Sequence, residues 1–391
     1  MLIGVDACCW ANKRGFGRFT RELLTAIVEQ DKKNQYLFFV DQDTAAASQF
    51  PEPAKIVVAA TRQSPLEAAS AEGRRSLKDV WALTQAVRKQ PVEMFFFPAV
   101  FSYFPILNRT KVLVTIHDVI ADHHPETVFT SQKLKLFWQA KERLAVRQAD
   151  LILTVSEYSK EQIVEYFKLP ESRVRAITEG PSRIFNAVPR SQIGEVILRR
   201  YGLAADSRWL LYVGGISPHK NLQRLVEALR QLGESPQFVD VKLVLVGDYQ
   251  NDTFHSDYPA LTAHIERLQL TDKVIFTGFV KDEELVYLYN AASIFVMPSL
   301  EEGFGLPAIE AMACGAPVVV SNRGSLPEIV GDAGRFFNPY DAGDICKAIQ
   351  EVLADAALKT RMREAGKRRA AQFTWEAAAA KTLAVFAEFA R

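Results

Sequence analysis

Residues 299–317 read Ser-Leu-Glu-Glu-Gly-Phe-Gly-Leu-Pro-Ala-Ile-Glu-Ala-Met-Ala-Cys-Gly-Ala-Pro. Glu302 and Glu310 stand on either side of a Gly-Phe-Gly turn, with seven residues between them. Pro307 suits the first helical position, where its missing N–H costs nothing. The backbone N–H groups of Phe304, Gly305 and Leu306 then point out of a positive helix end, an arrangement that attracts anions. One carboxylate precedes the turn and the other lies one turn into the helix, so both can reach a ligand held there. A phosphate flanked by hydroxyl groups, as in a sugar nucleotide, meets that description. Taken singly, Glu310 also fits a charge that complements the helix dipole, and Glu302 a solvated loop charge. The spacing, the glycines and the proline together point to a ligand.

Further segments carry compatible chemistry. The apolar run 209–213 (WLLYV) is followed by Gly214-Gly215-Ile216-Ser217-Pro218-His219-Lys220-Asn221-Leu222. Gly214 and Gly215 let the backbone approach a ligand closely. A cation at the start of the next helix opposes the dipole unless an anion is also bound, so Lys220 and His219 read as diphosphate ligands. Arg14-Gly15-Phe16-Gly17-Arg18-Phe19 follows another apolar run and opens a helix, in the manner of a phosphate-cradling turn. A plain turn with exposed arginines reads equally well there. His117-Asp118 closes the run 112–116, where a His just past a buried strand is placed for ligand contact or for a structural role. Arg18 and Asp118 are assigned to the acceptor side. The backbone of Gly278-Phe279-Val280 could meet a base edge, or only turn the chain. Asp41-Gln42-Asp43 spells a metal-binding DxD but has no companion ligands nearby, and reads as a solvated turn. No metal and no cofactor are expected.

Elements that must position these residues alternate along the chain. Apolar runs at 2–6, 36–40, 94–97, 112–116 and 151–155 form one series, and 209–213, 241–246, 274–277, 294–297 and 317–320 a second. Helical patterns lie at 17–31, 74–90, 131–148, 157–168, 221–232, 257–269, 282–291, 306–314, 342–354, 356–371 and 374–390. Continuous apolar strands alternating with helices predict parallel sheets covered on both faces. With 391 residues the chain exceeds one ordinary core. The expected fold is α/β, two doubly wound domains facing across a cleft: 1–190, 191–373, and a final helix 374–391 on a stripe of Trp375, Ala379, Leu383, Phe386 and Ala390, able to pack on either domain. Ligands bind such sheets at the carboxyl ends of strands.

Composition excludes several classes. Apolar content of 48% with 24% charge is ordinary globular usage. No apolar run reaches the roughly 18–20 residues that span a bilayer, and the N-terminus meets charge and glycine too early for a signal peptide. Cys8, Cys9, Cys314 and Cys346 lack metal-ligand or disulfide spacing, so a cytoplasmic, reduced location is expected. The first 190 residues carry 26 Lys and Arg against 21 Asp and Glu, and the remainder 21 against 25. That asymmetry is too small for a nucleic-acid binder. Much of the basic excess falls in two amphipathic segments, 74–90 and 133–147. The second carries five cations, one anion, Leu134, Phe137 and Trp138, and fits either a core-packed helix or one lying on an anionic membrane surface, which would make the protein peripheral to the membrane.

The residues RGFGRF (14–19), HD (117–118), TVSEYSKEQI (154–163), YVGGISPHKNL (212–222), FTGFV (276–280) and PSLEEGFGLPAIEAMACGAPVV (298–319) resemble retaining glycosyltransferases of family 4, with the two-domain GT-B architecture. The resemblance covers essentially the whole chain. It implies that Glu310 binds ribose hydroxyls, that Glu302 contacts the transferred sugar, and that Lys220 and the amides of Phe304, Gly305 and Leu306 hold the diphosphate. It places His117 near the sugar, Gly15 and Gly17 in a glycine loop, Gly215, His219 and Val280 on the donor side, and the final helix back on the first domain. The expected donor is a UDP-hexose of the UDP-glucose type, with GDP-mannose next, and the acceptor a hydroxyl of a glycan or lipid-linked molecule. Departures are His219, where many members have Arg, and Glu179-Gly180, where Asn-Gly is common. A permanent planar guanidinium and an imidazole are not equivalent phosphate ligands. A sugar-nucleotide epimerase of the same architecture and an inactive sugar-nucleotide-binding subunit are the rival readings.

Overall fold

The computed structural model describes residues 1–12, 15–61, 76–129, 131–189, 191, 193, 195–204, 207–249 and 256–389. By its internal contacts the chain sorts into two compact units, Met1–Glu179 with Thr374–Arg391, and Gly180–Phe373. Residues 180–190, assigned from sequence to the first domain, lie in the second unit.

The described residues of the first unit build a seven-stranded sheet from β1 (Leu2–Asp6), β2 (Gln35–Asp41), β3 (Lys55–Ala59), β4 (Met94–Phe97), β5 (Lys111–Thr115), β6 (Leu151–Thr154) and β7 (Val174–Ala176). The spatial order is β3-β2-β1-β4-β5-β6-β7, and every pairing is parallel. The run Met94-Phe95-Phe96-Phe97 is buried throughout because helices cover both faces of the strand. Phe95 and Phe97 belong to a core with Leu83, Val87, Ala145 and Ile163. Phe96 points the other way and meets Phe386 of the final helix at 5.6 Å between ring centroids.

That helix, Trp375–Phe389, buries Trp375, Ala378, Ala379, Thr382, Val385 and Phe386. The inward stripe thus retains Trp375, Ala379 and Phe386 from the expected set, while Leu383 is only half-buried and Ala390 lies outside the described residues. Trp375 meets Phe19 of helix Gly15–Gln30 at 5.8 Å, and Gln30 Nε2 donates to the Glu376 carbonyl.

The second unit carries, among the described residues, a six-stranded sheet: β8 (Trp209–Val213), β9 (Lys242–Val246), β10 (Val274–Gly278), β11 (Ile294–Met297), β12 (Val318–Ser321) and β13 (Arg335–Phe337). Its order is β10-β9-β8-β11-β12-β13, again parallel. The chain winds from β8 toward β9 in one direction and returns to β11 on the other side. The β8/β11 boundary is therefore the topological switch point, where open α/β sheets leave a crevice beyond the strand ends. In the first unit the same reversal falls between β1 and β4.

Two local expectations change. Asp41 is not part of a solvated turn: it is buried and caps helix Gln42–Ala47, accepting from Thr44 N at 2.9 Å and Thr44 Oγ1 at 2.6 Å. The segment expected as helix from 74 forms helix Leu77–Arg88, capped by Ser76; positions 74 and 75 lie outside the described residues.

Candidate functional site

In the second unit the two segments singled out by their chemistry leave the sheet side by side at its switch point. β8 ends at Val213 and runs through Gly215 into a short 3-10 turn, Pro218–Lys220; β11 ends at Met297 and runs through 298–305 into helix Leu306–Ala313. Backbone bonds lock the loops together, with Leu300 N donating to the His219 carbonyl at 2.8 Å. Asn221, in the left-handed region at φ 60° that Asn tolerates, bridges two strand ends. Its Nδ2 donates to the carbonyls of Pro298 (3.0 Å) and Pro339 (2.7 Å). Tyr212 donates to the Gly215 carbonyl at 2.8 Å.

Lys220 therefore does not start a helix. It ends the 3-10 turn, and helix Leu222–Leu232 begins after Asn221, so the dipole argument for an anion at Lys220 falls. A direct charge pairing takes its place: Lys220 Nζ lies 2.7 Å from Glu302 Oε1, with side-chain exposures of 18% and 9%. The same Oε1 accepts from Ser299 Oγ at 2.6 Å, and the Glu302 carbonyl accepts from Ser325 N at 3.1 Å. Glu302 is thus fixed from three directions.

The Gly-Phe-Gly turn sits directly after this carboxylate. Gly305 is the N-cap at φ +93°, and no side chain caps the helix start. The positive φ favours glycine, and a Cβ at Gly305 would lie 2.7 Å from Leu326 Cδ2 and push that side chain aside. The helix begins at Leu306 and Pro307 takes its second position, one later than expected. Phe304 is buried and packs against Phe373 at 5.9 Å. An uncapped helix start with no acidic residue in its first turn presents partial positive charge suited to phosphate.

Glu310, one turn farther, is 2% exposed, and its Oε2 accepts from the Tyr289 hydroxyl at 3.0 Å. Tyr289, on helix Asp282–Ala291, is held by the rings of Phe185 and Phe295. Val280 follows β10 and is buried, whereas its neighbour Phe279 is half-exposed. Sequence reasoning did not single out Ser299, Tyr289 or Asn221. A polar residue three before Glu302 was a usable signal for Ser299; the other two partners are set by tertiary structure.

In the first unit, Gly15 and Gly17 form the first turn of helix Gly15–Gln30 rather than a loop. A Cβ on Gly17 would lie 2.1 Å from the Asn12 carbonyl oxygen, so this glycine serves close packing of the preceding segment. Arg21 Nη1 donates to the carbonyls of Trp10 and Asn12, each at 2.6 Å. Arg14 lies outside the described residues, and Arg18 is half-buried on the helix. His117 follows β5 and pairs through Nε2 with the Pro98 carbonyl at 3.2 Å. Phe19 stands edge-on to its ring at 4.7 Å. Burial lowers the His117 pKa to about 4, so the imidazole is neutral at physiological pH. Its Nε2 must then carry the proton that meets the carbonyl, leaving Nδ1 as an acceptor. Asp118 Oδ1 accepts from Ile120 N at 3.0 Å and shapes the turn into helix Ile120–His123.

Among the described residues no group of His, Cys, Asp or Glu is arranged to hold a metal ion, and no helix is long and apolar enough to cross a membrane.

Comparison with known proteins identifies the family and the fold. Residues 14–180 match the family described as Glycosyltransferase Family 4, and residues 195–369 match Glycosyl transferases group 1. The chain is 30% identical to O-antigen chain mannosyltransferase B of Escherichia coli over 94% of each protein. Among solved structures it is similar to sucrose-phosphate synthase from Thermosynechococcus elongatus (TM-score 0.78, 23% identity, 99% of this chain and 98% of that one). It is also similar to Anabaena Alr3699/HepE in complex with UDP-glucose (TM-score 0.73, 20% identity, 98% and 99%). With two Rossmann-like units of GT-B type and a full-length match to a known transferase, the chain belongs to the family 4 glycosyltransferases.

Proposed function

We propose that this glycosyltransferase moves a hexose from a nucleoside diphosphate sugar to a hydroxyl of a glycan or lipid-linked acceptor in polysaccharide synthesis, with retention at the anomeric carbon and without a metal ion. The observation that carries the proposal is the Lys220–Glu302 pair held beside the uncapped start of helix Leu306–Ala313. The helix amides and Lys220 receive the diphosphate and stabilise charge that grows on the leaving phosphate, a preorganised term that is often the largest in catalysis. When Lys220 turns to phosphate, Glu302 stays anchored through Oε1 by Ser299 and its other carboxylate oxygen takes a hydroxyl of the sugar. Glu310, oriented by Tyr289, is the proposed ribose ligand. His219 serves as a secondary hydrogen-bond donor to the diphosphate, and the Gly215 and Val280 backbones line the sugar nucleotide. Nδ1 of neutral His117 accepts from a substrate hydroxyl.

The name of the full-length relative supports mannose as the transferred sugar. The HepE complex with UDP-glucose supports a sugar nucleotide as ligand through fold alone. The proposed donor order is therefore a mannose nucleotide first and UDP-glucose second, the reverse of the sequence expectation. Incubation with labelled GDP-mannose or UDP-glucose and a lipid-linked glycan acceptor tests this. Acceptor-dependent transfer with an α-linked product from an α-linked donor supports it. Product formed from donor alone would instead indicate an isomerase. Activity is expected to persist in EDTA, and a complete loss restored by Mg²⁺ would remove the metal-free mechanism.

A further inference from the structure

The chain enters the second unit at Gly180 and leaves it after Phe373. Just inside the entry, Phe185 is buried and stands edge-on to Tyr289 at 5.6 Å between ring centroids. The residues that follow are tied to the same helix, Asp282–Ala291. Asn290 Oδ1 accepts from Val188 N at 2.8 Å, and its Nδ2 donates to the Asn186 carbonyl at 3.0 Å. Tyr289 in turn donates to Glu310. Edge-to-face rings hold a preferred geometry and attract beyond the area they bury. Phe185 therefore sets the plane of the Tyr289 ring, and with it the line along which the hydroxyl meets the carboxylate.

At the exit, buried Phe373 stands edge-on to Phe304 of the Gly-Phe-Gly turn at 5.9 Å. The Arg369 guanidinium lies over the Phe373 ring, 4.9 Å from its centroid, a cation–π contact. Arg369 is itself fixed, donating from Nε to the Ile329 carbonyl at 2.9 Å and from Nη2 to the Glu328 carbonyl. Both carbonyls belong to helix Leu326–Val330. Leu326 of that helix flanks Gly305, and Ser325 just before it donates its N–H to the Glu302 carbonyl. One guanidinium thus steadies the turn from two sides, Phe304 through Phe373 and Gly305 through Leu326.

We propose that the segments by which the chain enters and leaves the second unit are built into its donor site. Phe185 is a positioning residue for Glu310, acting through Tyr289. Phe373, backed by Arg369, is a positioning residue for the phosphate-binding turn. The inference rests on the donor placement proposed above, with Glu310 on the ribose and the amides of Phe304, Gly305 and Leu306 on the diphosphate. It divides the labour, since Phe185 then bears on ribose recognition and Phe373 on the diphosphate. Core packing alone predicts no such division: loss of either ring would lower stability and leave the affinity of the folded protein unchanged.

The test is calorimetric titration of the full chain with GDP and UDP, the tighter binder then being compared with its 2′,3′-dideoxy analogue. The wild type should prefer the ribose form about tenfold, because the analogue cannot hydrogen-bond the carboxylate. Phe185→Leu should weaken the ribose form about fivefold and leave the analogue unchanged. Phe373→Leu should weaken both about fivefold and keep the preference. Phe185→Tyr and Phe373→Tyr retain the rings and should restore both affinities. Phe238→Leu, in the core of the same unit just before β9, should lower the melting temperature and change neither affinity. Unchanged binding in both Leu variants, while Lys220→Met and Glu310→Gln weaken it, overturns this inference alone. An equal loss of both ligands in Phe185→Leu, or a like loss in Phe238→Leu, does the same. Wild-type affinity in Lys220→Met and Glu310→Gln overturns the donor placement and this inference with it.

Discussion

Replacing Lys220 by Met leaves the Glu302 carboxylate without its ammonium in a place where its side chain is 9% exposed, while the lost Lys220 side chain was 18% exposed. Removing one partner of a fully buried pair costs about 3–5 kcal/mol. Ser299 still donates to the stranded oxygen and some water reaches the site, so a cost of about 2–3 kcal/mol is expected. For a unit of roughly 200 residues this lowers the melting temperature by on the order of 5–10 °C. Glu302→Gln should cost about as much, because it strands the ammonium. The double variant should lose much less than the sum of the two, since neither charge is then orphaned. The assay is calorimetric melting of all four proteins, followed by transfer rates. Stability should recover in the double variant but turnover should not, because the two groups carry separate chemical tasks. Additive losses in stability would refute the pairing, and wild-type turnover in Lys220→Met would refute its phosphate role.

Tyr289→Phe removes the hydroxyl that donates to buried Glu310. A loss of about 1–2 kcal/mol in stability is expected, with a higher KM for the donor and little change for the acceptor, checked by melting and steady-state kinetics. Gly305→Ala meets both the positive φ and Leu326, so a cost of about 1–3 kcal/mol and a weakened donor complex are expected in a thermal-shift titration. His117 has its folded pKa depressed from 6.5 to about 4. The unfolded chain therefore takes up the proton first, and stability declines as pH falls from 6.5 toward 4. At pH 5 the contribution is about 2 kcal/mol. A His117→Gln variant should show a correspondingly smaller loss in melting temperature between pH 7 and pH 5.

Interior strands were readable because burial on both faces writes a continuous apolar run. Met94–Phe97, Trp209–Val213 and Ile294–Met297 fall where such runs stand. The strands without such a signal, Lys55–Ala59, Val174–Ala176 and Arg335–Phe337, occupy sheet edges. An edge strand has one neighbour and can leave side chains such as Ile56 and Val58 exposed, which removes the signal from these three, while the edge strand Val274–Gly278 keeps a readable run. The same division holds at the site. The anion-binding turn is local, and its glycines, proline and glutamates are legible in order. The Lys220–Glu302 contact joins positions 82 apart and arises because β8 and β11 become neighbours in the sheet. Reading Lys220 as the start of a helix failed because Asn221 takes the left-handed conformation and delays the helix by one residue. At Gly17, read from sequence as a ligand contact, the close passage of Asn12 is a packing reason for glycine that the sequence did not display.

The final helix belongs to the first unit although the whole second unit precedes it in the chain. During synthesis the first unit emerges with Phe19 and Phe96 lacking Trp375 and Phe386, and must wait for the ribosome to complete residues 180–373. The second unit, contiguous in sequence, can close as soon as it is free of the exit tunnel. Domains emerging from the ribosome usually fold in order from the N-terminus; here a segment made after the second unit completes the first core begun. That interval exposes an unfinished apolar surface to chaperones, and makes the arrival of helix Trp375–Phe389 a checkpoint on the first unit.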